Sequence, residues 1–230
     1  MTAFPPLLGD AECQRLSIHR SICADHLKRC RDNLSDNCAG AHLWCLTSIS
    51  FYSGQTGRNM FHVSTFATTI EGYNTYPALT RYLNLRPVQV ALGVIGPDES
   101  IPQKWEFYNS TVSVLHTLAG DHVRRTDTLL PIILNAGVDM LIYEGTLDYV
   151  CGVDGVRAVI ESQGLVEGKI SRELKDWKHG SGRYVCSTNS KRSDSGKFCY
   201  LEIDGQGHGV AIGYDGWPNL FEKWVLEGSI

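Results

Sequence analysis

Eight cysteines constrain this 230-residue chain more than any other feature, and five of them lie between residues 13 and 45. No Cys-x-x-Cys pair occurs, and His42 is the histidine close to the later thiols, so we predict no metal site. Disulfides formed in an oxidising compartment are the better interpretation. The five clustered residues are Cys13, Cys23, Cys30, Cys38 and Cys45.

Two short motifs agree with an oxidising compartment. Asn33-Leu34-Ser35 and Asn109-Ser110-Thr111 are glycosylation sequons, which predict attached glycans at Asn33 and Asn109. Residues 1–10, however, carry neither the basic segment nor the apolar run of a signal peptide. Because the body of the chain looks secretory and its start does not, we expect that the front of the polypeptide is missing.

Composition excludes two classes of partner. The formal net charge is −4 and no Lys/Arg-rich run is present, so the basic surface of a nucleic-acid-binding protein is absent. No apolar stretch approaches the ~20 residues that cross a bilayer, which predicts no membrane span. A hydrophobic content of 43% and a charged content of 20% favour a folded globular chain over a disordered one.

Hydrophobic periodicity predicts a change of structure along the chain. The first part reads as helical, with a helix over Ala11–Cys30, a stapled and loop-rich stretch over Asp32–Ser53, short helices over 82–93 and a helix over Thr126–Ala136. From residue 138 a strand–helix–strand pattern follows, which is typical of an α/β fold. Its predicted elements are strands at Val138–Tyr143, Arg183–Cys186 and Phe198–Ile203, and helices at Asp154–Gln163 and Asn219–Leu226.

Asp148 comes just after the first of these strands, and His208 just after the last. Open α/β sheets place their chemistry at the carboxyl ends of strands, and α/β-hydrolases carry a triad in the chain order Ser, Asp, His. Asp148 and His208 are therefore candidates for the last two members. By spacing alone they also fit two ordinary polar residues of surface loops.

A set of short motifs narrows these alternatives. From about Cys13 onward the chain carries several short motifs in the order of the serine carboxypeptidases and near their spacings. By these motifs the chain resembles that family, and within it the fungal vacuolar group most. The resemblance implies the C-terminal portion of an α/β-hydrolase fold, with residues 1–60 as a helical, disulfide-stapled cap insertion and residues 61–230 as part of the hydrolase domain. The motifs are Thr56-Gly57-Arg58-Asn59, Tyr82-Leu83-Asn84, residues 88–93, residues 136–145, Asp148-Tyr149-Val150-Cys151, Gly207-His208 and residues 221–224.

The resemblance also implies individual roles. Asp148 matches the triad aspartate, His208 the triad histidine, and Cys151 a free cysteine near the substrate, although a small buried apolar role fits Cys151 equally well. By similarity Cys23 pairs with Cys45, Cys30 pairs with Cys38, and the partner of Cys13 lies upstream of this chain. Cys186 and Cys199 match nothing in the family. They fall on two adjacent predicted strands and are either a cross-strand disulfide or two buried thiols.

The family's nucleophile has no counterpart, because no Gly-x-Ser-x-Gly motif occurs and Ser53, Ser181 and Ser195 are only local imitations of it. The sequence therefore predicts a C-terminal fragment of a serine-type carboxypeptidase, inactive alone and needing no cofactor. Its partners would be peptide substrates and the missing N-terminal segment, in a vacuolar or secreted location. The alternatives are an inactive remnant that acts as a binding protein and, within the family, acyl transfer to an alcohol.

Overall fold

The fold is described from a computed structural model, which covers residues 8–32, 38–66, 77–98, 103–106, 108–188, 195–210, 214–228 and 230. Within these residues no helix is both long enough and apolar enough to cross a membrane. The helices are α1 (Asp10–Asp32), α2 (Cys38–Thr56), α3 (Pro77–Leu83), α4 (Arg86–Ala91), α5 (Ser110–Leu118), α6 (Leu130–Asn135), α7 (Val153–Ser162), α8 (Ile170–Glu173) and α9 (Trp217–Glu222). The strands are β1 (Arg58–Asn59), β2 (His62–Phe66), β3 (Met140–Gly145), β4 (Lys175–Asp176), β5 (Gly182–Thr188) and β6 (Lys197–Ile203).

Helices α1 and α2 form a hairpin held by two disulfides. Cys23 is bonded to Cys45, and Cys30 to Cys38, as the family resemblance implied. Helix α1 carries acidic residues in its first turn and basic residues in its last, which suits the helix dipole. Cys13 is an exposed free thiol on the same helix.

The main sheet has the strand order β3-β6-β5-β4. Strands β3 and β6 are parallel, with Met140 opposite Phe198 and Gly145 opposite Ile203, while β5 is antiparallel to both β6 and β4. Cys186 on β5 lies opposite Cys199 on β6, and the two form the third disulfide, so the cross-strand alternative is confirmed. The parallel pair brings the carboxyl ends of β3 and β6 to one edge.

Side chains of β6 alternate between two cores, because successive residues of a strand point to opposite faces. Phe198 and Tyr200 pack with Ile160 of α7 and Ile170 of α8 on one face. On the other face Leu201 and Ile203 pack with Leu220 of α9 and with two further buried residues, Trp177 and Val210. Strand β6 is therefore the buried centre of the sheet.

One expectation about helices is wrong, and another is found in altered form. The stretch Asp32–Ser53 is not loop-rich, because α2 occupies Cys38–Thr56. Gly40 and Gly54 weaken its helix propensity, but packing against α1 and two disulfides outweigh that local preference. The predicted helix Thr126–Ala136 is found, but it begins with a 3-10 turn at Asp127–Leu129 before the six-residue α6, because Pro131 in the first turn of α6 supplies no backbone donor.

The remaining predicted elements are found with small shifts. Helices α1 and α7 and strands β3, β5 and β6 lie where the pattern placed them, and Gly93 and Gly164 adopt positive φ values at helix ends. The C-terminal helix begins at Trp217 and continues as a π-helical turn over Lys223–Glu227. The division of the chain at residue 60 stays a prediction.

Candidate active site

Asp148 and His208 lie on two turns that leave the same edge of the sheet. Asp148 is three residues beyond β3, and His208 is five residues beyond β6. Their turns are joined by backbone hydrogen bonds from Thr146 N to Ile203 O (3.1 Å) and from Leu147 N to Gln206 O (2.8 Å). Because β3 and β6 are parallel neighbours, the register of the sheet fixes the distance between the two turns.

A third segment, the β1–β2 hairpin, holds both turns from outside. The amide of His208 donates to the carbonyl of Phe61 (2.8 Å), and the amide of Tyr149 donates to the carbonyl of Met60 (3.1 Å). The Phe61 ring lies 5.4 Å from the His208 ring between centroids. Sequence reasoning assigned this hairpin no role, although Gly57, at a φ of 63°, marks the turn that leads into it.

Two glycines allow the three segments to approach this closely. A Cβ atom on Gly207 would lie 2.3 Å from the Phe61 carbonyl oxygen, and one on Gly145 would lie 2.3 Å from the Gln206 carbonyl oxygen. Both distances are far shorter than any real contact. Glycine at these positions is therefore a steric requirement of the site.

The carboxylate of Asp148 is fully buried and hydrogen-bonded at both oxygens. Its Oδ2 accepts from Nδ1 of His208 at 2.7 Å, and its Oδ1 accepts from the amides of Val150 (2.8 Å) and Cys151 (3.2 Å). The side chain of Asp148 has no exposed surface, whereas that of His208 is 40% exposed. The pair thus has a buried, oriented carboxylate and an imidazole that solvent or a substrate can reach.

Electrostatics keep a proton on this imidazole. The hydrogen bond to the Asp148 carboxylate, followed by one to Cys151, raises the pKa of His208 to about 10. A buried anion stabilises the imidazolium form, which is the state that a triad aspartate must support during catalysis.

Glu144, the residue before Gly145 on β3, is a second carboxyl group at this site that sequence reasoning missed. Burial, followed by its hydrogen bond to Asp148 and repulsion from it, raises the pKa of Glu144 to about 7. The signal in the sequence was an acidic residue inside an otherwise apolar strand.

Cys151 is an exposed free thiol, so the buried alternative for this residue is wrong. Its sulfur, an oxygen of Asp148 and a ring nitrogen of His208 all lie within 4.8 Å of one another, the one such group of potential metal ligands in the described part of the chain. Asp148 already uses both carboxylate oxygens in hydrogen bonds. We therefore interpret the three residues as a hydrogen-bonded Asp–His pair with a thiol beside it, and not as a metal site.

The three serines that imitate the family's nucleophile are bound or placed elsewhere. Ser53 Oγ donates to the Arg58 carbonyl (3.0 Å), and Ser181 Oγ donates to Asp204 (3.4 Å). Ser195 precedes the start of β6, at the opposite end of that strand from His208.

Of the predicted glycosylation sites, Asn109 is exposed and caps α5 by accepting from Val112 N (3.1 Å), while Asn33 lies outside the described residues.

The parallel strand pair and the buried Asp–His pair at its carboxyl edge define the class of protein as an α/β-hydrolase. A sequence model of the serine carboxypeptidase family matches residues 6–225. The chain belongs to the serine carboxypeptidase family.

The chain is also similar in sequence to individual carboxypeptidases. The chain is 30% identical to carboxypeptidase Y of Schizosaccharomyces pombe, over 99% of this chain and 22% of that protein. It is 27% identical to carboxypeptidase Y homolog A of Trichophyton rubrum, over 91% of this chain and 39% of that protein. The chain therefore spans well under half the length of these relatives.

A solved structure has the same fold. The crystal structure of Kex1(delta)p, a prohormone-processing carboxypeptidase from Saccharomyces cerevisiae, superimposes with a TM-score of 0.51 at 14% identity. The match covers 93% of this chain and 49% of that one. This likeness confirms the α/β-hydrolase fold, and this chain spans about half of that protein.

Proposed function

We propose that this chain supplies the proton-transfer half of a serine carboxypeptidase, with the nucleophilic serine on polypeptide outside these 230 residues. The observation that carries the proposal is the 2.7 Å hydrogen bond between Nδ1 of His208 and the buried carboxylate of Asp148. In this reaction the neutral imidazole takes the serine proton as the hydroxyl attacks the last peptide bond of a substrate. It then returns that proton to the departing amino acid.

Asp148 would hold the imidazole in the tautomer that presents Nε2 to the serine, and would stabilise the imidazolium formed on proton transfer. Water would then hydrolyse the acyl-enzyme by the same proton transfers, so the reaction needs no cofactor. Docked polypeptide around His208 would exclude water and disfavour its charged form, which lowers its pKa towards the range in which a general base works.

The open edge of β3 is an observation in favour of a further polypeptide segment that pairs with this strand. Strand β3 pairs with β6 alone among the described strands, so its other edge presents unpaired backbone groups. Val138, two residues before this strand, is 53% exposed, and Ile132, on the preceding helix α6, is 62% exposed. An unpaired edge beside exposed apolar groups favours continuation of the sheet by polypeptide outside this chain.

The three disulfides support an oxidising location, and we propose a vacuolar or secreted one.

The test compares the chain alone with the protein that its host makes. The gene, with its native upstream sequence and a C-terminal tag, is expressed in the host, and the purified product is assayed for release of the terminal residue from a blocked dipeptide. We expect hydrolysis and labelling by a fluorophosphonate probe from the host product, and neither from the 230-residue chain alone.

A matched variant assigns the role of the pair. His208→Ala in the host product should lower kcat by about a thousandfold or more, whereas His179→Ala, on the surface turn before β5, should leave it unchanged. Serine labelling of the 230-residue chain would show that the nucleophile is within it. A host product that has the pair but cleaves no peptide would instead support the inactive binding protein.

A further inference from the structure

A cavity lies away from the Asp148–His208 pair, at the end of the α1–α2 hairpin where Cys30 and Cys38 are joined. Its volume is about 730 Å³, and its walls are the last turn of α1, the start of α2 and residues 119–125. Sites for small molecules are commonly of this size. Asp148, Cys151 and His208 do not line it.

The floor of this cavity is a covalently fixed apolar surface. The Cys30–Cys38 disulfide joins the two helices, and both cysteines are buried. Gly120 lies directly against it, with a φ of 66° and with room for no side chain, since a Cβ atom there would lie 2.5 Å from Cβ of Cys38. Val123 packs on the same cluster. The position of residues 119–125 is therefore set by contact with the disulfide.

The charged residues that line the described part of the wall are all cationic. Arg31 of α1 and the adjacent Arg124 and Arg125 line the cavity, and none of its described lining residues is acidic. Carboxylates reach two of these guanidinium groups from outside: Asp127 accepts from Nε (3.0 Å) and Nη2 (2.6 Å) of Arg125, and Asp121 lies 3.7 Å from Nε of Arg124.

These ion pairs leave donors unused. A guanidinium group has five N–H donors, and the pair with Asp127 occupies one edge of Arg125 only. The approach of Asp121 to Arg124 is through Nε and is longer than a hydrogen bond, so it does not occupy the Nη groups. Guanidinium donors in this planar arrangement match the oxygens of a carboxylate or a phosphate.

We propose that this cavity binds an organic oxyanion, a carboxylate or phosphate group on a small apolar body, with Arg31 and Arg124 at the charged end. The apolar body would lie against Val123 and the Cys30–Cys38 disulfide. This inference is independent of the proposed function, because it uses no residue of the Asp148–His208 site.

The experiment titrates the full 230-residue chain, labelled with ¹⁵N, with three probes of one shape: phenylacetate, phenyl phosphate and the neutral phenylacetamide. The amide resonances of Gly120 and Val123 report occupancy. We expect saturable shifts with at least one anion and about tenfold weaker binding of phenylacetamide. Binding of only one anion would identify which oxyanion the cavity prefers.

Arginine variants distinguish binding in the cavity from non-specific attraction of anions to the positive charges of the protein. Arg31→Gln and Arg124→Gln should each weaken anion binding about tenfold. Arg20→Gln, an exposed residue on the same helix that does not line the cavity, should leave binding unchanged. Because the replaced side chains are exposed, each variant should keep the helical circular dichroism of the parent.

Three results would overturn the proposal. They are the absence of a saturable shift with either anion, equal affinity for phenylacetamide, and equal losses in Arg20→Gln and Arg31→Gln.

Discussion

Nδ1 of His208 lies 2.7 Å from Oδ2 of Asp148, although 60 residues separate them in the chain. The parallel pairing of β3 with β6 produces this proximity, since each residue follows one of the two strands at the same edge. The relationship has measurable consequences for titration and stability.

Asp148→Asn should lower the pKa of His208 markedly from its value of about 10. The carboxylate stabilises the imidazolium form, and a neutral amide does not. The measurement is an NMR titration of the His208 ring protons. Asp176→Asn, an exposed carboxylate on β4, is the control and should leave the titration unchanged. An unaltered His208 pKa in Asp148→Asn would contradict the electrostatic role assigned to this carboxylate.

Glu144→Gln should make stability less dependent on pH. The pKa of Glu144 rises on folding from 4.5 to about 7, so its contribution is fully present below pH 4.5 and is lost as pH rises to about 7. A glutamine stays neutral throughout. Urea denaturation at about pH 4.5 and about pH 8 should therefore show a smaller difference for the variant than for the parent. The exposed Glu173→Gln should behave as the parent, and identical pH dependence in Glu144→Gln would disprove the assignment.

Glu202→Gln should lower the free energy of unfolding by about 3 kcal/mol, because it removes a buried carboxylate and leaves two partly buried guanidinium groups without their anion. Glu202 is fully buried and accepts from Nε (2.6 Å) and Nη2 (2.7 Å) of Arg157, and from Arg183 (3.0 Å). Asp154→Asn removes the other carboxylate paired with Arg157, which is 92% exposed, and should cost under about 1 kcal/mol. Equal losses in the two variants, measured by chemical denaturation, would be inconsistent with this argument.

Gly207→Ala should destabilise the chain by about 1–3 kcal/mol, because the new methyl group overlaps the Phe61 carbonyl and the His62 ring. Relief of this overlap must lengthen the hydrogen bond from His208 N to Phe61 O, so the titration of His208 should also change. Gly155→Ala, in α7 with no atom within 4 Å of the added Cβ, should instead stabilise by about 0.5–1 kcal/mol. Thermal melts of the two variants that shift in the same direction would count against this steric account.

Local patterns were reliable where the apolar residues form a clear pattern. Helix α7 was predictable because its apolar residues repeat at the helical period, and β6 because it is a short run of β-prone apolar residues, buried on both faces. Helix α2 was not, since its glycines and cysteines read as loop and its stability depends on α1 and two disulfides. The 3-10 turn before α6 arises because Pro131, in the first turn of α6, lacks a backbone donor, a local effect that periodicity ignores.

Some residues of the candidate site could likewise be predicted from the sequence, and others could not. Asp148 and His208 were found from their positions after two strands, and the motifs around them indicated the family. The roles of Phe61, Gly207 and Glu144 were not found, because each depends on which backbone segment lies across the site. Nothing in the spacing of these residues along the chain encodes that contact.

The three long strands of the main sheet, the family and the two candidate residues could be predicted from the sequence, because hydrophobic period and short motifs are properties of neighbours in the chain. Four features could not: the hydrogen bond between those residues, the pairing of Cys186 with Cys199, the exposure of Cys151 and the cationic cavity beside Cys30. These features join segments that are distant in sequence, and the packing of elements against one another sets which of them meet.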